Sequence, residues 1–228
     1  MGIGELLGSS FNYAKDALVG KWVRWIVLLI CTIIQGITFC IIPLVNGYIV
    51  RVFEGADTAP EVDRWGKLFV DGWKLNIIGI VYFLIPLIIA LIVLALTAGF
   101  GELTLLFENI ANPGALLGMF MGSLAVTAIV FIIFAIIFGL FGVIGMVKFA
   151  RSGKMGDAFH FSEIIAQIGK IGWGKYIVAL IVFFIIIFII VIILSLIPII
   201  GWIILFIIEP LLAIWQGRFY SKLYDAGV

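Results

Sequence analysis

Residues 63–75 read DRWGKLFVDGWKL and lie between two long apolar segments. On a helix, this stretch places charged side chains on one side and mainly apolar ones on the other. The charged set is Arg64, Lys67, Asp71 and Lys74, and the opposite set is Trp65, Leu68, Phe69 and Gly72. Such spacing is typical of an amphipathic helix. We therefore predict a helix that lies flat on the inner membrane surface, with Trp65, Phe69, Asp71 and Trp73 as its interfacial residues.

The composition indicates that lipid surrounds most of the chain. Of 228 residues, 64% are hydrophobic and only 12% are charged, and the mean hydropathy is +1.32. Soluble domains are roughly half apolar and a quarter charged. The net charge of +1 gives no electrostatic support for a nucleic-acid partner. Membrane lipids are the expected partners, with a protein partner or a second copy of the chain as further candidates.

Five apolar segments predict an all-α, polytopic membrane protein. They are 25–50, 76–99, 115–147, 176–196 and 202–220. A transmembrane helix needs about 20 predominantly apolar residues. We expect one transmembrane domain over residues 1–228, with two to four interfacial helices, the first of them within 3–19.

The segment 25–50 has two interpretations, because Gln35-Gly36 and Pro43 interrupt it. As one kinked crossing, it separates Lys15, Lys21 and Arg24 from the other 11 of the 14 Lys and Arg residues. As a re-entrant hairpin that turns at Gln35-Gly36, it leaves all 14 on one side. We favour the single crossing, because 26 residues fit one crossing better than two half-crossings.

The distribution of basic residues predicts the orientation. With five crossings, residues 51–75, residues 148–175 and the C-terminal tail share one side and hold 11 Lys and Arg residues. The positive-inside rule makes that side cytoplasmic and places the N-terminus outside. Within it, Lys148, Arg151 and Lys154 are expected to contact anionic lipid head groups of the cell membrane.

A weak parallel repeat relates the two halves, about 1–100 and 101–196, with a final helix at 202–222. A shift of 96 moves the charged set of the opening stretch onto His160, Glu163, Gln167 and Lys170, which are all polar. The same shift moves the opposite set onto Phe161, Ile164, Ile165 and Ile168. The repeat therefore predicts a second interfacial helix near 159–171, with Phe161 and Glu163 on it.

Part of this pattern resembles a known family. Gly47-Tyr48 with Arg51, followed by the run from Pro60 to Gly72, resembles the hallmark of an archaeal membrane family known as domain-of-unknown-function family 4013. The chain departs from that pattern at Val62, where an aromatic is usual, and at Arg64, where an acid is usual. The resemblance implies an archaeal cell-membrane protein and brings no activity with it. Its second block is matched by Phe159, Phe161, Glu163 and Ile164.

Glu209 is the sharpest candidate for chemistry, since it lies near the middle of the last apolar segment and precedes Pro210. A carboxylate at that depth costs a few kcal/mol, and intramembrane acids often serve as proton or cation sites. The alternative is a glutamate that bridges helices by hydrogen bonds. Gln35, Asn46 and Gln216 could line a path with Glu209 or join helices.

No motif indicates catalysis or a bound cofactor. The chain has one His and two Cys residues, both in segment 25–50, so the usual zinc spacings are absent from the sequence. We also find no nucleophile–base pair, no phosphate loop and no redox motif in the sequence. We therefore expect no enzyme and no cofactor. The favoured function is a scaffold or lipid-organising protein, and the alternative is a small transporter or channel that uses Glu209.

Overall fold

A computed structural model describes residues 2–108 and 113–228, and the regular structure in these ranges is helical. The helices are α1 (Ile3–Leu18), α2 (Trp22–Ile37), α3 (Leu44–Phe53), α4 (Trp65–Glu108), α5 (Pro113–Ser152), α6 (Phe161–Ile171), α7 (Trp173–Ser195) and α8 (Ile200–Asp225), with a 3₁₀ turn at Met155–Phe159. The predicted all-α class is confirmed.

Four stretches in the described ranges are long and apolar enough to cross a membrane. They are Trp65–Thr97, Met121–Ser152, Trp173–Ser195 and Ile200–Asp225. Helices α1 and α2 make a fifth if they count as one span, although they meet at a bend of 99°. The polytopic membrane architecture is therefore confirmed.

The chain forms two compact units, one made of Met1–Ile78 with Val143–Val228 and the other of Gly79–Gly142. The second unit contains the later part of α4 and the earlier part of α5. Inside it, the rings of Phe83 and Phe131 meet edge to face at 5.7 Å. Its surface presents large apolar side chains such as Ile129 and Ile136, which suits contact with lipid. The single domain and the boundaries of the repeat stay predictions.

The core of the first unit is built around the C-terminal half of α8, which packs against α1, α3 and α7. Phe183 of α7 stacks on Phe219 with ring centroids 4.4 Å apart and meets Trp215 edge to face at 5.2 Å. The indole N–H of Trp215 donates to the hydroxyl of Ser10 on α1 at 3.1 Å. The first and last helices are thus joined in one core.

The stretch 63–75 is not a separate helix that lies flat, as its amphipathic pattern predicted. From Trp65 onward it forms the start of α4, which continues for 44 residues without a break. The predicted second helix does form as a separate element, α6. Gly172 causes the difference, because its φ of +93° lies in a region that glycine adopts without strain and that ends α6 before α7 begins.

The segment 25–50 reverses direction, so the single crossing that we favoured is wrong. A continuous helix would place residues 35 and 45 about 15 Å apart. In the structure they are in contact, because the side-chain oxygen of Gln35 accepts hydrogen bonds from the backbone N–H groups of Val45 and Asn46 at 3.1 and 3.3 Å. The turn between α2 and α3 contains Phe39 and Cys40 at φ values of 49° and 62°, which a right-handed helix cannot accommodate. The chain therefore forms the alternative, a hairpin, but its turn lies at residues 38–43 instead of at Gln35-Gly36, which belong to α2.

The hairpin also corrects the predicted position of the N-terminus. Arg24, at the start of α2, forms an ion pair with Glu61, which lies between α3 and α4. The ring of Tyr13 on α1 lies 4.5 Å from the guanidinium of Arg218 near the end of α8. The N-terminal basic residues therefore lie beside the 51–64 region and the C-terminal end of the chain, rather than across the membrane from them.

Candidate functional site

Arg51 organises the polar end of the first unit. It lies near the end of α3 and is only 3% exposed. Its guanidinium donates to the carboxylate of Asp63 at 2.6 Å and to the backbone carbonyls of Glu61 and Asp63 at 2.9 and 2.8 Å. The hydrogen bond from Arg51 lowers the pKa of the Asp63 carboxyl. The loop of residues 54–64 is therefore fixed to α3.

Arg24 attaches the same loop to the N-terminal helices. It is 7% exposed, and its Nη1 donates to the carbonyl of Ala17 at 3.1 Å. Its Nη2 pairs with the Glu61 carboxylate. Glu61 thus contacts Arg24 through its side chain and Arg51 through its carbonyl. We call Arg24, Arg51, Glu61 and Asp63 the arginine cluster.

Two glycines bring the backbones of α3 and α4 into contact beside the arginine cluster. A Cβ atom on Gly47 would collide with the backbone carbonyl of Leu68, and one on Gly72 would collide with the carbonyl of Pro43. The hydroxyl of Tyr48 donates to the Pro60 carbonyl at 3.0 Å. The residues between 47 and 72 that carry the family resemblance therefore meet in one structural unit.

The tip of the hairpin is held by polar side chains of α2, α3 and α4. The amide of Gln35 donates to the Asn46 side-chain oxygen at 3.2 Å, and the Asn46 amide donates to Asn76 at 2.5 Å. Asn76 in turn donates to the carbonyl of Cys40 at 3.1 Å. This chain of amides holds the left-handed residues of the turn in place, which is the ordinary role of polar side chains between packed helices.

Glu209 forms a hydrogen bond between two helices. Its carboxylate accepts from the hydroxyl of Thr32 on α2 at 2.6 Å. One turn before Pro210, the carbonyl of Ile207 accepts from the indole N–H of Trp25 at 2.8 Å. Glu209 and Gln216 line a small cavity of about 170 Å³, together with apolar residues of α7 and α8.

The structure therefore divides the predicted intramembrane set into two pairs. Gln35 and Asn46 share the amide chain at the hairpin tip, whereas Glu209 and Gln216 share the cavity beside α7. Gln216 also donates to the hydroxyl of Tyr220 at 2.9 Å. Within the described ranges, no direct hydrogen bond joins the two pairs. A single path that contains all four residues stays a prediction.

The predicted interfacial residues of the opening stretch have different environments. Trp65 and Phe69 are exposed, as an interfacial position requires. Asp71, assigned to the polar face, is instead only 7% exposed. Its carboxylate lies 3.4 Å from Lys74 and 3.9 Å from Lys67. Trp73 donates to the carbonyl of Ile41 at the hairpin turn at 3.0 Å.

An ion pair between Lys148 and Glu163 connects the predicted interfacial residues of α6 to the basic residues that are expected to contact lipid head groups. Phe161 is half-buried at the start of α6, and Glu163 is exposed. Lys148 forms an ion pair with Glu163 and lowers the pKa of that carboxyl. Arg151 donates to Asp225 at 2.7 Å and to Ser221 at 2.9 Å. Lys154 is exposed. Contact of Lys148, Arg151 and Lys154 with lipid head groups stays a prediction.

Arg24 and Arg218 are buried arginines that were not among the site residues predicted from the sequence. Both are buried, with 7% and 5% of their surface exposed. A signal for Arg218 was present, because it follows a long apolar run within the last helix and is flanked by aromatic residues. Arg24 lies between two tryptophans at a predicted membrane boundary, where exposed basic residues are common, so its burial had no sequence signal.

The fold and its exposed apolar helices define an integral membrane protein of the polytopic α-helical class. The chain belongs to the family described as "Protein of unknown function (DUF4013)", which matches residues 30–199. This confirms the family predicted from residues 47–72. Comparison with curated proteins and with solved structures gives no match. The archaeal origin that the resemblance implies stays a prediction.

Proposed function

We propose that this chain is a non-catalytic membrane protein that binds lipid at its polar end and thereby organises the leaflet around it. The observation that carries the proposal is a cleft of about 470 Å³ between the start of α2 and the start of α4. Its apolar walls come from Trp22, Val23, Val27, Val62 and Trp65, and its cationic groups from Lys21 and Arg24. The carboxylate of Glu61, which pairs with Arg24, lines the cleft as well.

The cleft combines the two chemistries that a phospholipid requires. Trp22 and Trp65 are 64% and 48% exposed, which costs free energy in water but not against acyl chains. Lys21 and Arg24 contribute two positive charges to the lining and Glu61 one negative charge, so a net positive charge is left for an anionic head group. Ligand sites in proteins commonly have volumes of about 300–1,000 Å³. The size of the cleft and its mixed lining both support a lipid occupant.

We further propose that this end of the molecule is cytoplasmic. All 14 Lys and Arg residues lie within 15–74 and 148–222, and the intervening segment 76–147 contains none. With the hairpin in place, the N-terminal basic residues join the others instead of opposing them. The positive-inside rule then supports a cytoplasmic N-terminus as well as a cytoplasmic C-terminus.

Filling the cleft tests the lipid proposal. We expect Val27→Trp to block the cleft and to reduce the anionic lipid that copurifies with the protein, as measured by native mass spectrometry. The matched control is Val178→Trp, because Val178 is 47% exposed on α7 and does not line the cleft. Equal lipid retention by the wild-type chain and both variants would contradict the proposal.

A transport function is the second candidate, and the observation that favours it is the Glu209–Thr32 hydrogen bond beside the 170 Å³ cavity. In this case Glu209 would exchange protons or cations within the membrane. Glu209→Gln keeps an acceptor for Thr32 but cannot titrate, so proton flux into proteoliposomes should fall to the level of protein-free vesicles. Equal flux with the wild-type chain and this variant would exclude a proton relay at Glu209.

A further inference from the structure

We propose that a second cavity, which shares Lys21 with the lipid cleft, binds the phosphate group of an anionic ligand through Arg218. This cavity measures about 390 Å³ and lies between α1, the 54–64 loop and the end of α8. The inference rests on the proposed lipid function and deepens it, because it names the charged group that the protein recognises and the residue that recognises it.

The charge of Arg218 is poorly compensated by the protein itself. Its side chain is only 6% exposed, and within the described ranges neither Nε nor Nη1 has a hydrogen-bond partner. The carboxylate of Asp57 lies 3.6 Å from Nη2, which is too far for a hydrogen bond, and is fully exposed to solvent. A buried guanidinium in this state is costly unless an acceptor reaches it.

One neighbouring group supports the cation without neutralising it. The guanidinium of Arg218 lies 4.5 Å from the centroid of the Tyr13 ring, which is a cation–π contact. This contact holds the guanidinium in one orientation at the wall of the cavity. It leaves the in-plane N–H donors without an acceptor. Because Nε and Nη1 are themselves buried, an anion in the cavity would bind Nη2, the nitrogen that faces the exposed Asp57.

The lining of the cavity has more positive than negative charge. Lys21 and Lys222 line it together with Arg218, and the acids in the lining are Asp16 and Asp57. Both acids are exposed, so solvent screens them, whereas Arg218 is buried and is screened much less. An anion in this cavity would therefore experience a net attraction.

Phosphate is the anion that this arrangement suits best. An arginine fork binds two phosphate oxygens at once, and the two lysines supply further charge without fixed geometry. Asn12 and Ser9 add neutral polar groups to the same lining. A lipid head group and free phosphate present the same chemistry here, and the experiment separates the two sources.

The test uses the delipidated full chain in a nonionic detergent and isothermal titration calorimetry. The probes are inorganic phosphate, dihexanoyl phosphatidic acid and, as a head-group control, dihexanoyl phosphatidylcholine. The variants are Arg218→Gln and, in case this one folds poorly, Lys222→Gln. The matched control is Lys170→Gln, which removes an exposed lysine on α6 that does not line the cavity.

We expect phosphatidic acid to bind more tightly than phosphatidylcholine. Arg218→Gln should weaken the binding about tenfold or more, as the loss of a charged hydrogen bond implies, and Lys170→Gln should leave it unchanged. Lys222→Gln should weaken it by a smaller factor. If inorganic phosphate binds and responds to the same variants, the site is supported and its ligand is free phosphate.

Three results would overturn the site, and they have different consequences for the lipid function. Anionic lipid binding that is equal in the wild-type chain and in all variants keeps the proposed function but excludes this cavity as its phosphate site. Absence of binding by both phosphate probes would exclude a phosphate site in this cavity. Loss of lipid retention in Val27→Trp together with unchanged binding in Arg218→Gln would assign recognition to the first cleft alone.

Discussion

The two amphipathic stretches, 63–75 and 159–171, share a residue pattern but form different structures. The first begins at Trp65 and continues into the 44-residue helix α4. The second forms the separate 11-residue helix α6, which ends at Gly172. The difference teaches that the phase of apolar residues predicts a helix and its faces, whereas the residue that follows decides whether the helix continues.

The apolar segments that precede these stretches also differ, but here the interrupted segment belongs to the first half and the continuous one to the second. Segment 25–50 is interrupted by the turn between α2 and α3, whereas α5 continues from Pro113 to Ser152. Each predicted half of the repeat therefore contains one interruption, at a different place. One contact is common to both halves, since Arg51 pairs with Asp63 and Lys148 pairs with Glu163. In each half, a basic residue after the apolar segment binds an acid near the amphipathic stretch.

The largest expected effect comes from the glycine contact between α3 and α4. Gly47→Leu would drive a side chain into the backbone of α4 at Leu68, and we expect it to lower the free energy of unfolding by about 3 kcal/mol or more. In α6, Gly169→Ala meets no neighbouring atom and should raise stability by up to about 1 kcal/mol. Thermal unfolding of the detergent-solubilised protein measures both. Similar effects of the two substitutions would show that α3 and α4 are not in backbone contact.

The second largest expected effect is a difference in stability between variants of the two basic–acid pairs, Arg51–Asp63 and Lys148–Glu163. Arg51→Gln removes a buried guanidinium with several hydrogen bonds, so we expect a loss of about 2–3 kcal/mol. Lys148→Gln removes a partner of the exposed Glu163 and should cost about 1 kcal/mol or less. The same unfolding measurement tests the pair. Equal losses of stability in the two variants would mean that burial does not make the Arg51 interactions stronger than the Lys148–Glu163 pair.

A smaller effect tests the break between α6 and α7. Gly172→Ala forces a side chain into a conformation with a φ of +93°, and we expect it to cost about 1–2 kcal/mol. Gly174→Ala is the matched control, because Gly174 lies within α7 and a Cβ there meets no neighbouring atom. If Gly172→Ala is as stable as this control, the glycine is not what ends α6.

The smallest effect is a dependence of stability on pH. The folded-state pKa values of Asp63 and Glu163 are lowered by Arg51 and Lys148. Each ionised carboxylate therefore stabilises the folded state above its unfolded pKa of about 3.9 for Asp or 4.3 for Glu. That contribution is lost as the pH falls through the lower folded value.

Unfolding temperatures measured from neutral to acidic pH test this expectation. Asp63→Asn and Glu163→Gln should each flatten the decrease in stability on the acid side. The wild-type profile should show both contributions. A decrease that is the same in the wild-type chain and both variants would show that other carboxyls determine the acid response.

The sequence predicted the architecture well, because lipid-exposed helices can be recognised from their long apolar segments. Segment 176–196 matches α7 to within one residue at its end, segment 202–220 lies within α8, and 159–171 contains α6. The hairpin was only an alternative, because its turn depends on contacts between residues that are distant in sequence. Asn76 holds the turn through Cys40, 36 residues away, and no local pattern reveals that hydrogen bond.

The candidate site was predictable only in part for a similar reason. The pattern showed that Asp71 has a polar side chain but not that this side chain is buried. Sequence spacing also did not reveal the close approach of α3 and α4 at Gly47 and Gly72. Glu209 was found because a charge within an apolar segment is conspicuous. Arg24 was not, because its burial depends on Ala17 and Glu61, which other parts of the chain supply.

The packing of α1 against α8 has a consequence for biosynthesis. The contact between Ser10 and Trp215 joins residues 205 positions apart, so α1 is made long before the helix that covers it. At about 5–20 residues per second, translation of the intervening chain takes about 10–40 s. During that time α1, whose buried face includes Leu6, Ala14 and Leu18, lacks its contact with α8. The synthesis of α8 therefore completes the packing of a helix that was made about 200 residues earlier.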